Sequence, residues 1–360
     1  MKSHSAQPLS GRLEPSVEGQ YRFVACFQKA EGEALDQRTL DVSWNNAVES
    51  VRFEAIRRQQ FQLPDVGTPP VVEPEWDSAQ GPPRVGGFRL RLRGSKGEKF
   101  GLSFPLAYFK KAVQRASGAL VDRGLLKAGE TFLYRVTAYP SEARRMAPTA
   151  SSFSVEETAV ELPIRPRSIE SYADHCRHGT STQEDDIPVF VPATVLNQTE
   201  ALTRRAGARE TGGVLIGHLN RDPASRELFL AVTAQIPAAH TVATSTRLTF
   251  TSETWTAVRR ALELRRKEEI HLGWWHCHPA IEWCKNCPAE NRKKCTLASG
   301  FFSPEDLNLH ESIFPRAYSV ALVTTHSEEG IRQDLFGWRK GMVVRRDFGI
   351  LPQSKVGPPA

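Results

Sequence analysis

Two histidines, His276 and His278, stand two apart in the run Gly273-Trp-Trp-His-Cys-His-Pro279, and an aspartate follows in Ser303-Pro-Glu-Asp306. Side chains two apart on a strand leave the same face roughly 6.5 Å from one another, so both imidazoles can converge on one ion. Ser303-Pro304 reads as a helix start, with serine at the N-cap and proline at the first helical position. Asp306 in that first turn can swing its carboxylate back toward the end of the strand. Two nitrogens and one oxygen leave a fourth position for water, the ligand count of a catalytic zinc ion. Such an ion lowers the pKa of its water from 15.7 to about 7. Attack on an amide then needs a proton carrier outside the ligand set, and Glu210, in Glu210-Thr-Gly-Gly-Val-Leu-Ile-Gly, is the candidate general base. The glycine pair after it keeps side-chain bulk away from an approaching substrate. The Ser303 hydroxyl can accept a backbone N–H as a cap and still donate to a developing oxyanion. Taken singly, a His-x-His, a helix cap and a Thr-Gly-Gly turn are ordinary. Their joint order on a strand and a helix start is what points to a hydrolytic metal site.

Between these motifs lies a second cluster. Cys284, Cys287 and Cys295 fall in the stretch 280–302, and with Cys277 they place four of the six cysteines within 19 residues. A Cys-x2-Cys pair with a third cysteine nearby reads as a metal knuckle, a structural zinc site, in a chain of this size. A short polar insertion has no core of its own, so a bound metal would supply its folding energy. The fourth ligand is open among Cys277, His310 and the run Asp174-His-Cys176-Arg-His178. The other readings are three free thiols, or an iron–sulfur cluster suggested by Cys287-Pro288.

The chain has 360 residues, 40% hydrophobic and 24% charged, enough for two domains with separate cores. No apolar run approaches the 18 or so residues of a membrane span, and no signal core opens the chain, which points to a cytoplasmic protein. The net charge is +6, yet the densest basic cluster, Arg265-Arg266-Lys267, is followed by two glutamates and lacks alternating aromatics. It reads as a solvated helix face and not as a nucleic-acid surface.

Residues 1–165 read as a smaller α+β domain. Strands are expected at Tyr21–Phe27, Phe88–Arg93, Lys99–Phe104 and Thr131–Ala138, with a hairpin turn at 94–97. Helices are expected at Asn46–Gln59 and Tyr108–Asp122. Six prolines between Leu63 and Arg84 predict an irregular loop. His4 and Cys26 stand alone, so this domain carries no chemistry and is a candidate substrate- or partner-binding module. A polar linker is expected at 166–187. Residues 188–346 read as a compact unit with strands at Val189–Val191, Gly213–Leu219, Glu227–Ile236, Thr246–Phe250, His271–His278, Tyr318–Thr325 and Gln333–Val344. Helices are expected around Leu196–Ala206, from Ser252 as cap to about Glu269, and after Ser303. Residues 347–360 read as a tail.

Residues 188–346 resemble the JAMM/MPN-plus (JAB-type) metalloproteases. That family's pattern is a glutamate ahead of a glycine-rich strand, then Gly-aromatic-aromatic-His-Ser/Thr-His-Pro, then Ser-x-x-Asp. The resemblance implies a mixed sheet flanked by helices, zinc held by His276, His278 and Asp306, Glu210 as base and Ser303 at the oxyanion. It also implies cleavage of isopeptide or peptide bonds at the C-terminus of ubiquitin-like proteins. Relatives with an extra N-terminal domain occur in bacterial operons with a ubiquitin-like protein and its activating and conjugating enzymes, which are therefore expected partners. Cys277 departs from the family's hydroxyl residue, and the 24 residues between His278 and Ser303 exceed its usual short connection. Neither departure removes a catalytic part. The alternative function is a non-catalytic scaffold of the same fold that binds a ubiquitin-like partner. Scaffold relatives usually lack ligands, and every ligand is present here.

Overall fold

The computed structural model describes residues 21–352 apart from 60–69, 78–82, 94–98, 142–161, 177–182, 184, 239–240, 244–247, 293–294 and 296–299. His4, His178, the turn at 94–97 and the start of the strand expected from Thr246 lie outside the described residues. The chain divides into two compact units, residues 1–56 with 60–159, and residues 160–360 with 57–59.

The N-terminal unit is α+β. It contains β1 (Tyr21–Lys29), β2 (Ala34–Thr39), α1 (Asn45–Arg57), β3 (Val71–Asp77), β4 (Arg84–Arg93), β5 (Lys99–Pro105), a single 3-10 turn at Leu106–Phe109, α2 (Lys110–Asp122) and β6 (Phe132–Pro140). Two three-stranded antiparallel sheets result, in the orders β2-β1-β6 and β3-β4-β5. Their aromatic core includes Phe88 stacked on its register partner Phe104 at 4.8 Å, a cross-strand pair of the kind that holds sheets together. The middle of β1, Phe23 to Phe27, is buried at every residue and not alternately. Strand β3 interrupts the expected proline loop. It sits at a sheet edge, where Pro74 costs no ladder hydrogen bond.

The C-terminal unit is built on one large mixed sheet. Its elements are β7 (Ile164–Pro166), α3 (Glu170–Ala173), β8 (Val189–Pro192), α4 (Ala193–Ala206), β9 (Gly212–Arg221), β10 (Leu228–Pro237), β11 (Thr241–Ala243), β12 (Leu248–Phe250), α5 (Ser252–Arg265) and β13 (Ile270–His278). The short helices α6 (Ala280–Trp283) and α7 (Ala289–Arg292) follow, then α8 (Pro304–Ile313), β14 (Val320–Ser327), β15 (Gly330–Arg339), β16 (Met342–Arg346) and β17 (Gly349–Leu351). The strand order is β16-β15-β14-β13-β9-β10-β8-β17, with β7 also paired to β9. Strands β13 and β14 are parallel neighbours, so the chain between them must cross over, and α6, α7 and α8 lie on that crossover.

Four expectations change. The boundary expected at 165 and the linker after it both change: Ile164–Pro166 form β7, paired with β9, and Ile169, Tyr172 and Cys176 of the expected linker pack against Phe190 and Phe229. The tail contributes β17, parallel to β8, because Leu351 joins the same apolar cluster. The stretch 333–344 is two strands, β15 and β16, turning at Lys340-Gly341, both at positive φ. Helix α5 is capped by Thr251, whose side chain accepts from the Thr254 N–H, and it stops at Arg265, where Arg266 turns left-handed. No helix among the described residues is long and apolar enough to cross a membrane.

Candidate metal centre

Strand β13 lies between β9 and β14 and is buried almost throughout. Trp274, His276 and His278 share one of its faces, after a register shift between His271 and Gly273. A Cβ on Gly273 would fall 1.7 Å from the Val320 carbonyl oxygen of β14, so the close approach of these strands requires glycine there. The two imidazoles converge as their spacing requires, with Nε2 atoms 2.9 Å apart.

Asp306 reaches the pair from the first turn of α8. Its Oδ1 lies 3.1 Å from His276 Nε2 and its Oδ2 lies 3.4 Å from His278 Nε2. A reciprocal capping box holds it there. The Asp306 N–H donates to Ser303 Oγ at 3.0 Å, and the Ser303 N–H donates to Asp306 Oδ2 at 2.8 Å. Ser303 thus fixes the helix start that aims the carboxylate.

Glu210 arrives by sheet register. Gly212 pairs with His276 across β9 and β13, and the Cys277 N–H donates to the Thr211 carbonyl. Continuing the antiparallel pairing sets Glu210 opposite His278, on the same face as the two histidines. Gly213 has a structural task in addition to any clearance of substrate. A Cβ there would meet the Ile236 carbonyl at 2.3 Å and the Trp275 indole at 2.6 Å.

The charges are coupled. Burial pushes the Glu210 carboxyl up to about 7; His276 opposes this, while Asp306 and Glu305 add to it. His276 is depressed by burial but raised on balance by Asp306 and Glu210. Burial and the neighbouring His276 hold His278 below the ordinary histidine value. Burial would raise Asp306, yet the two histidines hold it far below the usual carboxylate range.

The ligand atoms of His276, His278 and Asp306 all lie within 4.8 Å of one another, the group of this kind among the described residues. Two ring nitrogens turned toward each other and toward a carboxylate suit a divalent ion. Zinc-bound histidines almost always donate the other ring N–H to a carboxylate, carbonyl or water. Here both Nδ1 atoms are buried with no hydrogen-bond partner among the described residues. Aromatic faces orient the rings in its place. Trp274 lies flat on His276, with centroids 4.4 Å apart at 13°. Trp283 and Phe301 lie 5.2 and 4.6 Å from the His278 ring. Neither aromatic stood out in the sequence. The available signal was their position, one at each end of the cysteine insertion.

Of the three cysteines, Cys284 Sγ lies 3.5 Å from Cys295 Sγ, and Cys287 also acts on the Cys284 thiol, which burial pushes up to about 11. The fourth-ligand candidates within the described residues are engaged elsewhere. Cys277 Sγ accepts from the Thr211 N–H at 3.2 Å on the face opposite the histidines. Burial pushes its thiol up to about 11, so it is inert at neutral pH. His310 accepts from the Trp274 indole N–H at 3.0 Å. Cys176 packs in the Phe190–Phe229 cluster.

No protein-family profile matches this sequence, and no curated protein matches it. Among solved structures, the solution structure of a Desulfitobacterium hafniense protein is similar at 17% identity. It covers 47% of this chain and 94% of its own, with a TM-score of 0.31, too low to define the fold.

Proposed function

We propose that this protein is a zinc-dependent peptidase of the JAMM/MPN-plus kind, cleaving after the C-terminus of a ubiquitin-like protein to process or deconjugate it. The observation that carries the reading is the convergence of His276, His278 and Asp306 beside a buried glutamate that lies outside the ligand set. His276 Nε2, His278 Nε2 and the Asp306 carboxylate would hold the ion. When bound, zinc supplies a water ionised near neutral pH and polarises the scissile carbonyl.

The chain's own residues do the rest. Glu210 takes the proton of the attacking water and hands it to the leaving nitrogen. Ser303 Oγ spends a lone pair on the Asp306 N–H and keeps its own proton for the substrate oxygen. The aromatic faces of Trp274, Trp283 and Phe301 keep the ligand imidazoles from turning.

The substrate class rests on the resemblance carried by the motif order from Glu210 to Asp306, and the accompanying activating and conjugating enzymes on the resemblance to relatives with an extra N-terminal domain. The N-terminal α+β unit is assigned substrate or partner binding, since the chemistry resides in the other unit. The test uses purified full-length protein and a linear fusion to a ubiquitin-like protein. Cleavage should require zinc, stop on chelation and be lost in Glu210→Gln. A zinc-loaded wild-type chain that binds this partner but cleaves neither fusion nor conjugate would overturn the reading in favour of a scaffold.

A further inference from the structure

We propose that Cys284, Cys287 and Cys295 bind a second metal ion of the thiolate-seeking class, such as Zn²⁺, and that this ion seats Trp283 and Phe301 on the imidazole of His278. The insertion leaves the reactive strand at Pro279 and returns at Gly300, and its two ends carry the two aromatic residues that flank His278. Trp283 comes immediately before Cys284, and Phe301 immediately after Gly300. Their ring centroids lie 6.2 Å apart, with the His278 ring within 5.2 Å of both.

Turns draw the cysteine segment together, although the three sulfurs do not all lie within 4.8 Å of one another. The Cys287 N–H closes a turn on the Cys284 carbonyl at 2.9 Å, and the Cys295 N–H closes another on the Arg292 carbonyl at 3.2 Å. Arg292 ties the bends together, donating to the Lys285 and Cys287 carbonyls, each at 2.7 Å, and pairing with Glu328 in the turn after β14. The Cys284 and Cys295 sulfurs meet at 3.5 Å without a disulfide between them. Thiol groups make only weak hydrogen bonds to one another. A divalent ion would deprotonate them and close the loop with bonds near 2.3 Å.

The need for such a closure lies at His278. Its Nδ1 is buried without a hydrogen-bond partner among the described residues, so the usual carboxylate or carbonyl brace is absent. Ring orientation then depends on Trp283 and Phe301, and these depend on the ends of the insertion staying together. The cysteine ion is therefore a positioning device for the reactive centre. This second limb rests on His278 being a ligand of the reactive metal, whereas the cysteine site stands without it.

The experiment loads the full chain with Co²⁺ and, separately, with Zn²⁺. Wild type should bind about two ions per chain, one showing the sulfur-to-cobalt charge-transfer absorption of a thiolate site. His276→Ala/His278→Ala should keep that absorption and lose the other ion, which separates this proposal from the catalytic reading. Cys284→Ser and Cys287→Ser should lose the absorption, and affinity at the remaining site should fall about 10- to 100-fold, as when a ligand's outer support is removed. Trp283→Ala should reproduce that fall while keeping the thiolate absorption, and Trp283→Phe should restore affinity. Because Trp283→Ala leaves the cysteines intact, it serves even if a cysteine variant fails to fold. Cobalt-loaded wild type without thiolate absorption, or with Cys284 and Cys295 joined as a disulfide, would overturn the site. Wild-type affinity at the reactive centre in Trp283→Ala would overturn its positioning role.

Discussion

The indole of Trp274 lies flat on the imidazole of His276, with ring centroids 4.4 Å apart and planes 13° from parallel. The same indole donates its N–H to His310 Nδ1 at 3.0 Å, and burial pushes His310 down to about 3, so it stays a neutral acceptor across the physiological range. His310 thereby acts on the metal centre through Trp274. His310→Leu should cost about 1–3 kcal/mol by stranding the indole N–H, and it should also weaken metal binding. His310→Gln, which keeps an acceptor, should recover part of both. Urea unfolding and chelator competition would measure them, and a stability loss with unchanged metal affinity would leave His310 a packing residue.

Glu210→Gln should retain the metal held by His276, His278 and Asp306 and lower turnover by about 10²–10⁴-fold, the range of lost general acid–base help. Elemental analysis and single-turnover cleavage of a fusion substrate would check both halves. Near-normal turnover would assign the proton transfer to another group.

The raised Glu210 carboxyl also sets a stability test on metal-free protein. Its value goes from 4.5 to about 7 on folding, so between these limits the native state binds the extra proton. Its contribution is therefore full below about pH 4.5 and is lost as pH rises through about 7. The loss is on the order of 3 kcal/mol at about 1.4 kcal/mol per unit. Glu210→Gln removes the titration, so the variant should be the more stable of the two above pH 7 and should lose its advantage near pH 4. Equal unfolding midpoints for variant and wild type at both ends would contradict the burial of this carboxyl.

Ser303 serves the helix and the site at once. Ser303→Ala should cost about 1 kcal/mol through the lost cap. It should also lower kcat, because the Asp306 first turn loosens and the oxyanion loses a donor. Ser303→Thr keeps the hydroxyl and should retain most of the stability. A cap loss without any change in kcat would remove Ser303 from the chemistry.

A catalytic fragment should respect the sheet. Residues 160–352 include β7 and β17 and should fold alone. Residues 188–346 lack both strands and the Tyr172 and Leu351 packing on Phe190 and Phe229, so they should unfold at lower denaturant. If the N-terminal unit binds substrate, its loss should raise KM more than it lowers kcat. Equal midpoints for the two fragments would mean that the added strands are peripheral.

The sequence by itself determined the parts of the site and the types of the elements that carry them. His276 and His278 are two apart because strand geometry repeats every two residues, and Ser303-Pro304 announces a helix start through its own backbone chemistry. Those are local rules, and a single sequence displays them. It also displayed the Cys284-x2-Cys287 spacing. It hid β3 behind Pro74, since only the strand's place at a sheet edge makes that proline harmless. It also hid β7 and β17, three-residue strands whose stability comes from neighbours far along the chain. The tertiary structure alone set Glu210 opposite His278, through the register of β9 against β13, and put Trp283 and Phe301 against the His278 imidazole. Register arises from strands packing across 60 or more residues, as between Glu210 and His278, and no local periodicity records where distant strands will meet.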